Sequence, residues 1–179
     1  IMKYSKVIDT YVKTLQPEVS NQWHTDEMKI QAGGKWRWLW NVMDKETKFL
    51  ITRKVTDRRS IKDSSNILNE AKNIAGKQPA FMITDGCVPY QESIKRTLGS
   101  TRHVRLISIR DKRVNNNVME RLNGTIRDRI KTMRGMDSLE SSEAMTNAFQ
   151  NYYNFIHIHS ISGKTPADMA GIGVEGNNR

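Results

Sequence analysis

The stretch PAFMITDG, residues 79–86, contains a short apolar run without alternation of polar and apolar side chains. Such a run is typical of a strand that is buried on both faces of a sheet. Helical patterns flank it, one extending from Ser60 to about Gly76 and the other over residues 89–98, which ends at Gly99. A buried strand between two helices indicates crossover connections and therefore an α/β fold.

Further strand patterns lie on both sides of this segment. Residues 24–44, HTDEMKIQAGGKWRWLWNVMD, predict two strands joined at Gly33 and Gly34, a hairpin signal. A third strand is predicted over 49–56, and a fifth over 102–109. The first three strands are expected to form an antiparallel meander. The whole pattern predicts a five-stranded mixed sheet with helices on both faces.

The remaining segments are predicted to be helical or irregular. Residues 1–22 are expected to form an amphipathic helical arm, because their apolar positions recur at helical spacing. Two long helices are predicted over about 114–136 and 138–155. A single core domain is expected to span 23–172, followed by a disordered tail over 173–179.

The positive charge of the chain is concentrated in one segment. Between Lys95 and Arg134, twelve Lys or Arg side chains stand against three acids, which gives +9 of the formal net charge of +10. A surface this basic favours nucleic acid as a partner. No apolar run approaches the ~20 residues needed to span a bilayer, so a membrane partner is not expected. The single cysteine, Cys87, suits a reducing compartment.

Three acids stand out against this basic background. Asp26 lies in the first strand, and Asp85 follows the buried strand at the end that opens into a ligand crevice in such folds. Glu120 lies on a polar row of its helix, away from the apolar stripe. Taken alone, Asp85 with Gly86 also fits an ordinary strand-to-helix turn, and Glu120 fits a solvated helix residue.

Considered together, the three acids favour metal chemistry. Phosphodiester cleavage uses two divalent cations about 3.5–4 Å apart. Mg²⁺ and Mn²⁺ prefer carboxylate oxygens, which two adjacent strands and a facing helix would supply here. A bound cation would also explain Glu120, since it would convert a carboxylate that repels phosphate into part of a phosphate-binding site.

Several motifs of the chain occur together in one known superfamily. The sequence resembles the DDE transposase and retroviral-type integrase superfamily, whose catalytic core is ribonuclease-H-like, and within it bacterial and archaeal insertion-sequence transposases. WHTDE (23–27) and GKWRWLWNVMD (34–44) match the first two strands, and ITDG (83–86) matches the second-aspartate motif. Residues 115–136, NNNVMERLNGTIRDRIKTMRGM, match the glutamate helix, and HSISGKTPADMAGI (159–172) matches the usual ending.

The resemblance implies a function and a set of site residues. Asp26, Asp85 and Glu120 would be the catalytic triad and the ligands of two Mg²⁺ or Mn²⁺ ions; the interval from Asp85 to Glu120 is typical of the superfamily. The reaction would be hydrolysis that exposes a 3′-OH, followed by strand transfer into target DNA. The implied partners are transposon ends, target DNA and further copies of the chain, and the implied location is the cytoplasm, at the nucleoid of a prokaryote.

The resemblance also implies DNA-contacting residues near the scissile phosphate. Asn123 and Arg127 follow the glutamate by three and seven residues and match such positions. The wider set of predicted DNA-binding residues comprises Asn123, Arg127, Lys131, Arg134, Lys112 and Arg113.

Two other functions remain open from the sequence. One is a ribonuclease H or related metal-dependent nuclease, in which the glutamate would come from the first crossover helix, where Glu70 lies. The other is a non-enzymatic DNA-binding module on an inactivated core. A separate alternative concerns Trp36, Trp38 and Trp40, which share one strand face: base stacking is conceivable, but alternating aromatics beside a buried sheet favour the core.

Overall fold

The computed structural model describes residues 7, 8, 10–12, 14–106, 117–132 and 136–174. Residues 7, 8 and 10–12 are helical. The elements that follow are β1 (Gln22–Ala32), β2 (Lys35–Asp44), β3 (Leu50–Thr56), α1 (Ile61–Ala75), β4 (Phe81–Thr84), α2 (Val88–Thr97), β5 (Arg102–Arg105), α3 (Asn117–Thr132), α4 (Leu139–Phe155) and α5 (Pro166–Met169).

The strands form one mixed sheet in the order β3-β2-β1-β4-β5. β1, β2 and β3 pair antiparallel, whereas β4 pairs parallel with both β1 and β5. The turn between β1 and β2 places Gly33 and Gly34 at φ values of 60° and 69°, a backbone region that favours glycine. The predicted meander and crossovers are therefore confirmed.

Helices cover both faces of the sheet, and each face has its own apolar core. On one face, Trp23 and Trp40 pack with Ile67 of α1 and Ile94 of α2. On the opposite face, side chains of β1 and β2 pack against α3 and α4; this second core includes Met28, Leu39, Leu122, Met119 and Tyr153. The two cores follow from the alternation of side chains along each strand. The predicted α/β class with helices on both faces is confirmed.

Local capping fixes the helices whose ends carry the clearest sequence signals. Ser60 caps α1 in a reciprocal box with Asp63, and Gly76 ends the helix with a left-handed φ of 63°. Ser138 and Ser141 form the same kind of box at the start of α4. The serines and the glycine therefore set the helix ends that the sequence pattern indicated.

Some predicted segments extend into residues that lie outside the described part of the chain. Of the predicted strand 102–109, the structure gives β5 and does not describe 107–110. Of the tail, 175–179 lie outside the described residues. In the N-terminal arm, the apolar side chains of Val7, Ile8 and Tyr11 are exposed.

The prediction of a buried tryptophan row is wrong for Trp36. Trp40 is fully buried and Trp38 packs against the core, but Trp36 is 66% exposed. Burial along β2 increases away from the hairpin turn: Lys35 and Trp36 are exposed, and every residue from Leu39 to the end of the strand is buried. On the face that carries Trp36, the hairpin end thus extends past the core, whereas Ile30 and Ala32 of the same hairpin are buried in the second core. A face pattern alone cannot reveal this difference.

Within the described part of the chain, no helix combines the length and apolar character needed to cross a membrane.

Candidate active site

The register between β1 and β4 brings two of the predicted acids together. The parallel pairing of these strands ends with His24 opposite Ile83. Asp26, within β1, and Asp85, directly after the end of β4, each lie two residues beyond that pair. Because neighbouring parallel strands advance together, the two carboxyl groups meet at the same place. Among the described residues, Asp26, Glu27 and Asp85 each offer a carboxylate oxygen within 4.8 Å of the others.

The crowding of these carboxyl groups changes the acidity of Asp26. Its pKa rises from 3.8 to about 7, first because the carboxyl group is desolvated and then because of the charges of Asp85 and Glu27. The backbone N–H of Glu27 and the charge of Arg127 act in the opposite direction. At Asp26, burial and the repulsion between neighbouring carboxylates therefore outweigh the effect of the nearby positive charge.

A side-chain amide links the glutamate helix to Asp26. Nδ2 of Asn123 on α3 donates to Oδ2 of Asp26 at 2.8 Å, and Oδ1 of Asn123 accepts from Nδ2 of Asn41 at 3.2 Å. Asn123 is only 3% exposed. Its expected role as a DNA contact stays a prediction, and its geometry suits a different role, which is to hold the Asp26 carboxyl in place.

Glu120 lies on the same helix, three residues before Asn123, and its side chain is exposed. Residues three apart are neighbours on a helix surface, so Glu120 is adjacent to Asn123 on α3. Glu120 is not a member of the close group formed by Asp26, Glu27 and Asp85. Its role as the third catalytic acid stays a prediction.

Sequence reasoning missed Glu27, whose carboxylate belongs to the acidic group although its side chain continues the buried row of Trp23 and Thr25 on β1. The hydroxyl of Tyr90 donates to Oε2 of Glu27 at 2.6 Å, and Arg59 forms an ion pair with the other oxygen. Burial and the charge of Glu27 raise the pKa of Tyr90 well above its usual value. The sequence does contain a signal for the burial of Glu27. Every second residue of β1 from Trp23 through Thr25 to Glu27 lies on one face of the strand, and that face is buried.

A compact turn holds Asp85 at the carboxyl end of β4. Oδ1 of Asp85 accepts from the backbone N–H of Cys87 at 3.0 Å, and Oγ1 of Thr84 accepts from that of Gly86 at 3.1 Å. Gly86 has a φ of 91°, which a residue with a Cβ rarely adopts.

Burial and the charge of Glu27 raise the pKa of the Cys87 thiol to about 12, so it stays protonated near neutral pH.

The basic residues of α3 continue the row that contains Glu120 and Asn123. Arg127 is close enough for its charge to act on Asp26, and both Arg127 and Lys131 line a groove beside β1. The other predicted DNA-binding residues, Lys112, Arg113 and Arg134, lie outside the described residues.

The order of these features along the chain matches a known family. A family model described as "DDE domain" (DDE_Tnp_IS240) matches residues 20–159, which include Asp26, Asp85 and Glu120. The chain belongs to the DDE domain family. The predicted membership in the DDE transposase and integrase superfamily is confirmed.

Solved structures share the fold of this DDE domain at low sequence identity. The HTLV-2 integrase catalytic core domain in complex with magnesium, in its dimeric form, superposes with a TM-score of 0.63 at 18% identity, covering 87% of this chain and 98% of that one. Its trimeric form gives 0.59 at the same identity and coverage. A chain of the simian T-cell lymphotropic virus intasome, in complex with PP2A regulatory subunit B56 gamma, gives 0.64 at 13% identity, covering 87% of this chain.

The DDE domain spans 56% of the length of the matched intasome chain. The comparison with curated proteins returns no match. The structural likenesses establish the ribonuclease-H-like fold predicted from the sequence.

Glu70, the acid that the ribonuclease H alternative would use, is like Glu120 not a member of the group formed by Asp26, Glu27 and Asp85. Glu70 on α1 instead lines a separate cavity with Arg53 and Lys54. The position of Glu70 therefore offers no support to the nuclease interpretation.

Proposed function

We propose that this DDE domain is the catalytic domain of a metal-dependent DNA transposase. The observation that carries the proposal is the convergence of Asp26 and Asp85 beside a basic helix that also bears Glu120. In this proposal the three acids are the catalytic triad and hold two Mg²⁺ or Mn²⁺ ions. Carboxylate oxygens of Asp26 and Asp85 lie within 4.8 Å of each other, close enough to share a cation.

The residues present fit hard divalent cations. The donors are carboxylate oxygens, which Mg²⁺ and Mn²⁺ prefer. Burial, and then repulsion from Asp85 and Glu27, raises the pKa of Asp26 to about 7, and a bound cation would favour the ionised carboxylate. Bound cations would activate the attacking oxygen and stabilise the leaving oxygen of a phosphodiester.

The proposed reaction has two balanced steps. In hydrolysis, a water oxygen bonds to phosphorus as the bond to the 3′ oxygen breaks, which leaves a 3′-hydroxyl and a 5′-phosphate. In strand transfer, that hydroxyl oxygen attacks a target phosphodiester and displaces the target's 3′ oxygen. Asn123 holds the Asp26 carboxyl during both steps. Arg127 and Lys131 are proposed to hold phosphates that do not react.

The similar structures support the proposed cofactor, partner and assembly. The HTLV-2 integrase core is in complex with magnesium and exists in dimeric and trimeric forms, and the simian virus chain is part of an intasome. By analogy, we propose DNA ends and target DNA as substrates and a homo-oligomer as the active form. The proposed setting is the cytoplasm of a prokaryotic cell, at the nucleoid.

The substitution Glu120→Gln tests the proposal, because it preserves shape and removes the charge. Nicking and strand transfer would be measured on a labelled duplex with Mg²⁺ or Mn²⁺, and DNA binding would be measured in EDTA. We expect activity to fall about 10³-fold, the equivalent of ~4 kcal/mol of transition-state stabilisation. Binding without metal should be unchanged or slightly tighter, because a charge that repels phosphate has been removed.

Asp128→Asn is the matched control, since it removes one negative charge from an exposed position on the same helix. It should keep normal activity. Near-normal metal-dependent activity of the Glu120→Gln variant would show that Glu120 is only a solvated helix residue. A wild-type chain that nicks DNA but yields no strand-transfer product would favour the nuclease alternative instead.

A further inference from the structure

A groove between the β1–β2 hairpin and α3 combines an exposed tryptophan with three cations. It has a volume of about 330 Å³ and is lined by Trp36, Lys29, Arg127 and Lys131, among others. Trp36 is 66% exposed, whereas Trp23 and Trp40 are fully buried. Among the described residues, no acidic side chain lines this groove. Its charge therefore complements a polyanion, and its indole offers an aromatic face.

Arg127 connects the groove to the candidate active site. Arg127 acts electrostatically on Asp26 and also lines the groove. Lys131 follows on the same helix, about 6 Å further along the axis at ~1.5 Å per residue. Trp36 pairs with Gln31, five residues beyond Asp26 on β1. At ~3.4 Å per residue, Trp36 lies about 17 Å from Asp26 along the strand.

The distance from Asp26 to Trp36 corresponds to a few nucleotides of DNA. Successive phosphates of one DNA strand advance by ~3.4 Å along the duplex axis, so about 17 Å corresponds to roughly five nucleotides. The volume of the groove is at the small end of the range of about 300–1,000 Å³ for ligand sites. The groove is therefore large enough for a small ligand such as one nucleobase.

We propose that Trp36 stacks on an unpaired base about five nucleotides from the phosphodiester at the acidic site. Arg127 and Lys131 hold the phosphates of the same strand between the acids and the indole. Stacking on an aromatic ring tolerates any base, so the contact secures the strand and does not read sequence. The inference rests on the proposed function in one respect, namely that DNA is the substrate.

Binding in EDTA separates this contact from the chemistry. The probes are a fully paired duplex and duplexes that carry one unpaired base at three, five or seven nucleotides from the end. The variants are Trp36→Leu, which removes the aromatic ring, and Trp36→Phe, which keeps one. Tyr11→Leu is the matched control, because Tyr11 is an exposed aromatic residue that does not line the groove. Thermal unfolding would verify that all variants fold.

We expect Trp36→Leu to weaken binding of the probe unpaired at about position five by roughly tenfold, within the range for loss of one stacked base. Trp36→Phe should retain most of the affinity, and Tyr11→Leu all of it. The unpaired probe should also quench wild-type tryptophan emission, and the quenching should disappear in Trp36→Phe. Equal loss of affinity for paired and unpaired probes, or none for either, would overturn the stacking contact.

The same measurements distinguish this inference from the proposed function. If Glu120→Gln stays active while Trp36→Leu loses affinity for the unpaired probe, the catalytic assignment fails and the stacking site stands. If Glu120→Gln is inactive while both Trp36 variants bind every probe normally, the stacking site fails and the catalytic assignment stands. A wild-type chain that binds none of the probes overturns the stacking site.

Discussion

At the scale of single residues, the state of Asp26 governs the candidate site. Its carboxyl is forced close to Asp85, and burial together with that charge raises its pKa to about 7. A carboxyl group whose pKa is higher in the folded than in the unfolded protein favours the folded state only while protonated. That contribution is fully present below the unfolded value of about 3.9 and is lost as the pH rises through about 7.

Asp26→Asn should therefore stabilise the metal-free protein at pH 8, because an uncharged amide replaces an unfavourable charge. We expect a rise of a few degrees in the midpoint of thermal unfolding, since 1 kcal/mol corresponds to about 2–4 °C at this chain length. The rise should shrink at pH 4. Millimolar Mg²⁺ should raise the midpoint of the wild type but not that of the variant, because a ligand that binds only the folded state stabilises it.

Asp128→Asn, at an exposed position of α3, serves as the control and should change neither the midpoint nor the response to Mg²⁺. Destabilisation by Asp26→Asn at pH 8, measured in EDTA, would contradict the raised pKa of Asp26.

A second prediction concerns the buried partner of Glu27. Tyr90→Phe removes the hydroxyl that donates to Glu27 at 2.6 Å and leaves the ion pair between Arg59 and Glu27 in place. Hydrogen bonds to charged groups contribute about 1.5–3 kcal/mol, so the free energy of unfolding should fall by about that amount. Tyr153→Phe is the comparison, because no hydrogen bond to the buried Tyr153 hydroxyl is seen in the described residues. Urea unfolding that gives equal losses for the two variants would refute the Glu27 contribution.

Of the three acids that converge at the site, the sequence predicts Asp26 and Asp85 but not Glu27. Asp26 and Asp85 are identifiable because Asp85 follows the buried strand β4 and Asp26 lies within β1, and the structure brings them together. Glu27 is missed because it directly follows a predicted catalytic acid and therefore suggests no separate role. Only its position in the buried row of Trp23 and Thr25 indicates one. Its partners, Tyr90 and Arg59, come from separate elements, and no local pattern pairs them.

At the scale of elements, α3 is attached to the sheet by the amide of Asn123. Asn123→Ala would remove the donor to Asp26 and the acceptor for Asn41. Asn123→Asp keeps the acceptor but places a second negative charge against Asp26. We expect both variants to lose DNA nicking activity, and Asn123→Asp to be the less stable of the two at pH 8 without metal, because like charges repel.

Nicking assays check the loss of activity, and thermal unfolding checks the relative stability of the two variants. Thr125→Ala, on the exposed side of the same helix, is the control. If Asn123→Asp proved more stable than Asn123→Ala in EDTA, the close approach to Asp26 would be wrong.

Elements are predicted well wherever their ends carry local signals. Ser60 with Gly76 bounds α1, and Gly33 with Gly34 forms the hairpin turn. The environment of a side chain within an element is predicted less well. Trp36 shares a face with Trp38 and Trp40, yet it is exposed because the core on that face does not reach the hairpin end. How far a strand projects depends on tertiary packing, which the face pattern does not encode.

At the scale of the whole molecule, the formal net charge of +10 should govern DNA binding. Each neutralised phosphate contributes roughly −0.9 to the slope of log affinity against log salt concentration. Arg127→Ala should reduce the magnitude of that slope by about 1 if it contacts one phosphate, with little change in sequence preference. Lys62→Ala, which removes one charge from an exposed position of α1, should leave the slope unchanged.

Fluorescence anisotropy of labelled duplexes over a range of salt concentrations measures both slopes. Equal slopes for the wild type and Arg127→Ala would remove Arg127 from the set of phosphate contacts.

The parallel pairing of His24 with Ile83 has a consequence for how related chains can vary in length. The His24–Ile83 pair fixes the register of β1 against β4, and each acid lies two residues beyond it. An insertion or deletion between His24 and Asp26, or between Ile83 and Asp85, would therefore move one acid out of the site. A single added residue would turn one carboxyl group to the other side of the sheet. The long interval between the two strands is free of this constraint, so the β1–β2 turn and the loop before α1 can lengthen or shorten without separating the acids. Length variation among members of the family should therefore be concentrated in those loops and absent from the two intervals that precede the acids.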